Sequence, residues 1–489
     1  MRFYAQVDNE QMNRKFDLIL VGTGFASSFF LSRFLERTRN TTVLVLERGF
    51  HDTHEWRIKN RARMHPSGVV SSIDFEQTFI NDTPEKPWVY TPSFGGSSNC
   101  WWACTPRFMP TDFELQSRFG VGRDWPLRYD DLEPYYCAAE EMMAIAGPTV
   151  TPFPMSRPYP QAAHQLTSVD RKLAERFPDT FFTMPSARPT RGTTNRVRCC
   201  ASGVCNLCPV DAKFTVLNEL GHLYQDKRVS LEFGAQVLAV DIENKLAKGV
   251  LYLKDGVEHR ASGEVVALGA NALFNPHILL NSGVEHPLLG GNLAEQVAIS
   301  CDLWLRNTNN FDGSTSLTGH GYMLYDGDHR KRHAACLVET FNIPRLRLER
   351  GAYTRRAFLK FIFEDLPRPS NGVVGSNDRA QPKVSYHGHS DYVERAKANV
   401  REQFENLFGF LELERIDWNS MPHPTEGHIL CTVPMGLRSD DSIVNRYQVL
   451  HSVSNLLSLG GSSFASVSPA NPTLTIAALS LWSADHYFS

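Results

Sequence analysis

Four of the chain's ten cysteines fall within ten residues: Cys199, Cys200, Cys205 and Cys208. Thiolates this close together can hold a zinc ion or an iron–sulfur cluster, both of which favour soft sulfur donors. The same spacing also suits four unligated thiols. A disulfide framework fits poorly in a chain of 489 residues. Such frameworks belong to short secreted chains, and the first fifteen residues lack the apolar core of a secretory signal.

A second constellation is Gly22-Thr23-Gly24-Phe25-Ala26-Ser27, with Glu47 25 residues after Gly22. Gly22 permits a tight turn, and Gly24 lets the backbone approach a pyrophosphate at the positive end of the following helix. Glu47 stands where an acid accepts from a ribose hydroxyl. Ser27 replaces the usual third glycine. The motif implies a dinucleotide site and does not by itself separate FAD from NAD.

The elements that must position these groups are legible around them. An apolar run at 16–21 leads into the glycine turn, an amphipathic segment covers 25–37, and a second apolar run at 42–46 ends in Glu47. That is a strand–helix–strand unit. Residues 56–93 read as covering loops, 126–146 become helical, and 148–198 form a long excursion or lid. Residues 213–224 look helical, 229–253 alternate like paired strands, and 265–268 form a buried strand running into Gly269. The stretch 301–390 alternates as an antiparallel sheet, and Val400, Phe404, Leu407, Phe408 and Leu411 mark one face of a helix. Asn471 reads as the N-cap of a helix over 471–487 with Pro472 at its first position.

Fifty basic and fifty-three acidic side chains give a net charge of −3, and 42% of residues are hydrophobic. No basic stripe points to nucleic acid or an anionic membrane. The most apolar stretch, 16–35, resolves as strand, turn and helix, so no transmembrane segment is expected. The expected location is cytoplasmic, or periplasmic only if a separately targeted subunit carries the chain.

Five segments together resemble the glucose-methanol-choline (GMC) family of flavoenzymes. They are GTGFAS with Leu46-Glu47-Arg48-Gly49; Gly95-Gly96-Ser97-Ser98-Asn99-Cys100-Trp101; Leu268-Gly269-Ala270 through Asn281-Ser282-Gly283; Gly427-His428-Ile429-Leu430-Cys431-Thr432 with Met435-Gly436; and Gly460-Gly461-Ser462-Ser463 followed by Asn471-Pro472-Thr473-Leu474-Thr475. Within the family, Arg123-Asp124-Trp125-Pro126 and 129–136 are similar to the large subunits of bacterial gluconate, fructose and glucose dehydrogenases, and 104–108 echo pyranose oxidase.

The resemblance implies FAD, hydride transfer from a CH–OH group of a sugar, polyol or related alcohol, and His428 as the base with Asn471 as its partner. Seventeen histidines are present, and most belong to surface or core; His423 and His486 read as structural. The expected cofactor contacts are Gly22, Gly24, Phe25, Ala26, Ser27, Glu47, Arg48, Gly95, Ser98, Asn99, Cys100, Trp101, Val237, Gly269, Gly461, Ser462, Pro472 and Thr473. The start of the last helix would face the flavin edge that gains negative charge on reduction. Cys100 stands where several relatives have a flavin-tethering histidine, and it reads as a free thiol. Cys431 replaces a usual glycine and Pro434 a frequent arginine. The dehydrogenase resemblance further implies a three-iron cluster within the group Cys199, Cys200, Cys205 and Cys208, held by Cys199 or Cys200 together with Cys205 and Cys208, with electrons relayed to a small subunit or cytochrome. The alternatives are a cluster-free oxidase using oxygen, or a flavin-binding partner protein without catalysis.

The expected fold is α/β. A Rossmann-like FAD-binding domain is assembled from 1–95, 196–300 and 425–489. Residues 96–195 form a flavin-covering loop and lid, and 301–424 an α+β substrate domain with an antiparallel sheet.

Overall fold

Residues 18–21 of Lys15–Val21 (β1) and 43–46 of Val43–Glu47 (β2) are continuous apolar runs because both faces of their sheet are covered. In the computed structural model, which describes residues 15–343, 345–419 and 425–488, they lie side by side and parallel. Val229–Phe233 extends the parallel set beyond β2, and the long strand Val257–Leu268 lies on the other side of β1. Leu456–Ser458 adds a further parallel strand. The first half of Val257–Leu268 instead pairs antiparallel with Leu246–Lys254, which pairs with Gln236–Glu243. This is a seven-stranded mixed sheet with helices packed on it.

Phe25–Arg37 (α1) buries Phe29, Phe30 and Phe34 completely or nearly so, and packs on the C-terminal helix Thr473–Tyr487. Each such ring contributes about 1.5–3 kcal/mol by leaving water, so the first and last elements of the fold are held together.

The second sheet is antiparallel throughout, in the order Leu413–Trp418, Val297–Leu305, Arg356–Phe363, Cys336–Phe341, Leu317–Leu324, Phe181–Thr183. Its period-two alternation sends Ile299, Cys301, Leu303, Val338, Leu359 and Phe361 toward the helix Asp391–Phe408, which meets them with Val393, Val400, Phe404 and Phe408. The alternate residues form a polar row set by strand register: Ser300 opposite Lys360, Lys360 opposite Glu339, Glu339 opposite His320. No described helix is long and apolar enough to cross a membrane.

Two local expectations change. The helical stretch at 213–224 is a single wide turn at Val216–Leu220 followed by a 3-10 turn at Gly221–Gln225. The last helix begins at Thr473 with Pro472 at its cap, and no side chain caps it. Asn471 is therefore not the cap. Pro472 lacks an N–H and supplies instead the carbonyl that Ile476 N bonds at 2.9 Å.

Candidate functional site

The glycine turn between β1 and α1 is built by close approach. Gly22 has φ +85°, and a Cβ there would stand 2.7 Å from the Gly269 carbonyl oxygen. Gly24 opens α1 with no side-chain cap, and a Cβ on it would meet nothing within 4 Å. No described side chain caps the first N–H groups of α1, which suits a helix start that receives a phosphate. Ser27 is accommodated from across the sheet: a Cβ on Gly269 would lie 2.0 Å from Ser27 Oγ, whose hydroxyl donates to Val21 O at 3.1 Å. The room lost at the third glycine position is returned by Gly269.

Glu47 is buried at the end of β2. Thr23 Oγ1 donates to its Oε2 at 2.6 Å and Gly49 N to its Oε1 at 2.8 Å. Burial raises its pKa, and those two donors offset part of that. Thr23 Oγ1 also accepts from Gly95 N at 3.0 Å, tying the glycine turn to the 95–101 loop. Arg48 lies over the Phe274 ring, 4.0 Å from its centroid.

In the 95–101 loop, Ser98 Oγ donates to Gly95 O and accepts from Val216 N, while Asn99 Nδ2 donates to Ser93 Oγ and Phe94 O. These side chains shape the loop itself, although Asn99 Oδ1 is buried without a partner. Trp101 packs edge-on against Phe25 at 4.7 Å and donates Nε1–H to Phe214 O at 2.8 Å. Cys100 Sγ lies 3.0 Å from Thr91 Oγ1. Ala26, Val237 and Thr473 are buried, the last at the start of the C-terminal helix.

The third part of the site joins distant segments. Cys431 N donates to Gly461 O at 2.9 Å, Val433 N to Ser462 O at 2.7 Å and Met435 N to Ser463 O at 2.9 Å. These bonds lay the His428 segment along the chain that leads to Asn471. Cys431 has φ +72°, the left-handed conformation that glycine adopts most easily. His428 Nδ1 lies 2.6 Å from Gln296 Oε1. Gln296 Nε2 donates to Ser468 O at 2.6 Å and Ala470 O at 2.7 Å. Through one buried carboxamide His428 is thereby linked to the residue preceding Asn471. Asn471 is itself buried, with Oδ1 lacking a partner.

The polar row of the second sheet acts on this site. Lys360 Nζ pairs with Glu426 Oε2, and Glu339 lies 3.3 Å from His320 Nε2. Burial lowers the pKa of Lys360, but Glu426 and Glu339 more than offset it and raise the value. Burial pushes Glu426 up against the pull of Lys360. It pushes Glu339 up as well, yet His320 and Lys360 hold that carboxyl below its ordinary value. His428 is pushed down to about 4, by burial first and by the Lys360 charge second, with Glu339 opposing. The imidazole is neutral at working pH.

Residues 374–480 match the family model described as GMC oxidoreductase. The chain is 25% identical to fructose dehydrogenase large subunit of Gluconobacter japonicus, over 96% of its own length and 97% of that protein's. The segment 374–480 is that of a GMC oxidoreductase, and the chain is an oxidoreductase. It is also 24% identical to 2-methyl-1,2-propanediol dehydrogenase of Mycolicibacterium austroafricanum over 80% of each chain. To gluconate 2-dehydrogenase flavoprotein of Pantoea cypripedii it is 25% identical over 56% of this chain and 53% of that one. The crystal structure of pyridoxine 4-oxidase from Mesorbium loti shares the fold, with TM-score 0.68 at 16% identity over 97% of this oxidoreductase and 99% of that chain.

The cysteine group of this oxidoreductase is not arranged as its spacing suggests. Cys200 is exposed and Cys199 half-buried, whereas Cys205 and Cys208 are buried. Cys199 Sγ lies 3.5 Å from Thr315 Oγ1, Cys205 Sγ lies 4.0 Å from the Arg188 guanidinium, and Cys208 Sγ accepts from Ala212 N at 3.3 Å. Among the described residues no three His, Cys, Asp or Glu side chains gather closely enough to hold a metal ion. As placed, the four thiols do not fit a cluster.

His423 lies outside the described residues. His486 stacks on Tyr447 and donates Nδ1–H to Trp482 O at 2.9 Å, as a structural residue would. Sequence reasoning missed Gln296, Lys360, Glu339 and Glu426. Gln296 follows Leu293-Ala294-Glu295 without any motif, and only the alternation of the later strands hinted at a polar face.

Proposed function

We propose that this oxidoreductase binds FAD along the β1–α1 turn and oxidises a CH–OH group of a sugar, polyol or related alcohol, with His428 as the proton acceptor. One observation carries the reading: a neutral, half-buried imidazole is tied through Gln296 to the turn before Asn471, whose buried Oδ1 has no partner among the described residues.

The open N-terminus of α1, the uncapped Gly24 and the buried Glu47 suit the pyrophosphate and ribose of a dinucleotide. When bound, FAD supplies the hydride acceptor at N5. His428 Nε2 takes the hydroxyl proton, and its depressed pKa keeps it free to do so. Asn471 orients the substrate oxygen by donating Nδ2–H without competing for the proton. Lys360 and the buried Glu339 supply charged groups beside His428.

Cys199, Cys200, Cys205 and Cys208 as placed do not fit an iron–sulfur cluster, so electrons leave the flavin by another route. The names of two relatives, a large subunit and a flavoprotein, support a partner protein as electron acceptor. Oxygen uptake during turnover, measured against an artificial dye acceptor, separates that route from an oxidase.

The base assignment is tested with His428→Ala, followed by stopped-flow bleaching of the bound flavin. FAD content should be unchanged while flavin reduction slows by about 10²–10⁴, the range of general-base contributions. Reduction at the wild-type rate would remove His428 from the role.

A further inference from the structure

We propose that Gln296 is a positioning residue that sets the tautomer of His428 and fixes it to the turn leading into Asn471. The proposal deepens the reading of His428 as proton acceptor and rests on it.

Gln296 is 1% exposed, so its carboxamide must find its partners within the protein. Both partners of Nε2, Ser468 O and Ala470 O, are backbone carbonyls that can only accept, at 2.6 and 2.7 Å. The amide nitrogen must therefore face them. A flipped carboxamide would set Oε1 against two carbonyl oxygens and lose both bonds. With the flip decided, Oε1 faces His428 Nδ1 at 2.6 Å, and an amide oxygen can only accept. The proton of the neutral imidazole is thus held on Nδ1, which leaves Nε2 as the bare nitrogen. The free energy that chooses this tautomer comes from hydrogen bonds on the far side of Gln296.

Those far-side bonds are anchored in turn. Ser468 Oγ donates to Asp112 Oδ2 at 2.9 Å and accepts from Ala470 N at 3.0 Å, and Asp112 Oδ1 takes a bond from Arg330 at 2.9 Å. Tyr325 OH donates to the same Asp112 carboxylate at 2.7 Å. Gln296 is the link between this buried framework and the reacting imidazole. Its carboxamide is taken up by Ser468 O, Ala470 O and His428 Nδ1, so it acts on the reaction through the imidazole. Its neighbour Glu295 holds the start of the same segment, accepting from Thr425 Oγ1 at 3.0 Å and pairing with Lys86. The charged groups acting on His428 are Lys360 and Glu339 of the sheet, with Glu426 of its own segment paired to Lys360.

The test uses the FAD-loaded full chain as wild type, Gln296→Met, Gln296→Glu and His428→Ala, with flavin reduction followed across pH. Met keeps the volume and removes the acceptor, so half or more of the imidazole can carry its proton on Nε2. The expected result is a reduction rate about 10–100-fold lower at saturating substrate, the range for partners that orient a functional histidine, with KM changed less than about threefold. Glu keeps an acceptor on Nδ1–H and adds a negative charge. Its acid limb should move about 1–3 pH units upward, as a new adjacent carboxylate does to an imidazole. Above that limb it should regain more rate than Gln296→Met.

Wild-type rate and an unmoved acid limb in both variants, with His428→Ala still slow, would overturn the role of Gln296 and leave the base assignment standing. Wild-type rate in His428→Ala would overturn both. Should Gln296→Met lose FAD, the acid limb of Gln296→Glu decides alone: an unmoved limb refutes the proposal.

Discussion

Acidification is the most direct perturbation of the proposed base. An ordinary imidazole titrates near about 6.5, whereas burial and the Lys360 charge push His428 down to about 4. At pH 5.5 an ordinary histidine is roughly nine-tenths protonated, and its rate as a base would fall about tenfold between pH 7.5 and 5.5. A group at about 4 is then only about 3% protonated, and the rate should change by less than about 1.1-fold. The assay is stopped-flow flavin reduction at saturating substrate in buffers from pH 4 to 8. The same depression has a consequence for stability. Because the folded-state value lies below the unfolded one, the unfolded chain takes up the proton first as pH falls. Stability is then lost between about 6.5 and about 4, by up to about 3 kcal/mol from this residue. His164 is also pushed down to about 4, mainly by burial, so denaturation curves report both groups. The difference between wild type and His428→Ala isolates the share of His428. An acid limb at pH 6 or above in the reduction rate would refute the electrostatic account, because it would mean that the site does not disfavour the imidazolium.

The remaining predictions test the framework. Gly269→Ala should destabilise the chain by about 1–3 kcal/mol through overpacking and lower FAD content, since its Cβ would sit 2.0 Å from Ser27 Oγ. The S27G/G269A double variant should recover most of that loss, measured by urea unfolding. Arg330→Met should cost about 3–5 kcal/mol, because it leaves the buried carboxylates of Asp112 and Glu364 without their cation. Its flavin-reduction rate should fall as well, as the turn before Asn471 loosens. Cys200→Ser should leave FAD content and flavin reduction unchanged, because that thiol is exposed; a loss of either would give Cys200 a role that its position does not suggest.

The parts of the fold that depend on local rules were legible. The run at 16–21, the Gly22 turn and Glu47 needed only strand hydrophobicity and glycine's conformational freedom, and each lies where that reasoning puts it. Long-range compensation was not legible. Ser27 looks like a defect in the glycine motif until Gly269, 242 positions away, is seen to yield the space. The cysteine run misled for the complementary reason: spacing fixes how close thiols come along the chain, but not where they point. Loop geometry turns Cys200 to solvent while Cys205 meets the Arg188 guanidinium. At Asn471 the local rule itself was misapplied, since a cap needs a side-chain acceptor turned toward the helix, and Asn471 Oδ1 has no partner among the described residues.

The base and its partner are 43 residues apart in sequence, and no motif states what holds them together. Two consecutive residues do much of it: Glu295 fixes Thr425 and Gln296 fixes His428. The same Gln296 reaches Ala470, next to Asn471. A rigid link of this kind matters because a histidine can act as a base only with the correct nitrogen bare and in reach. Burial keeps the ring neutral but does not choose its tautomer, while an amide oxygen chooses the tautomer but leaves the ring's charge open. Only the two together leave a bare Nε2 on His428 at every pH well above about 4.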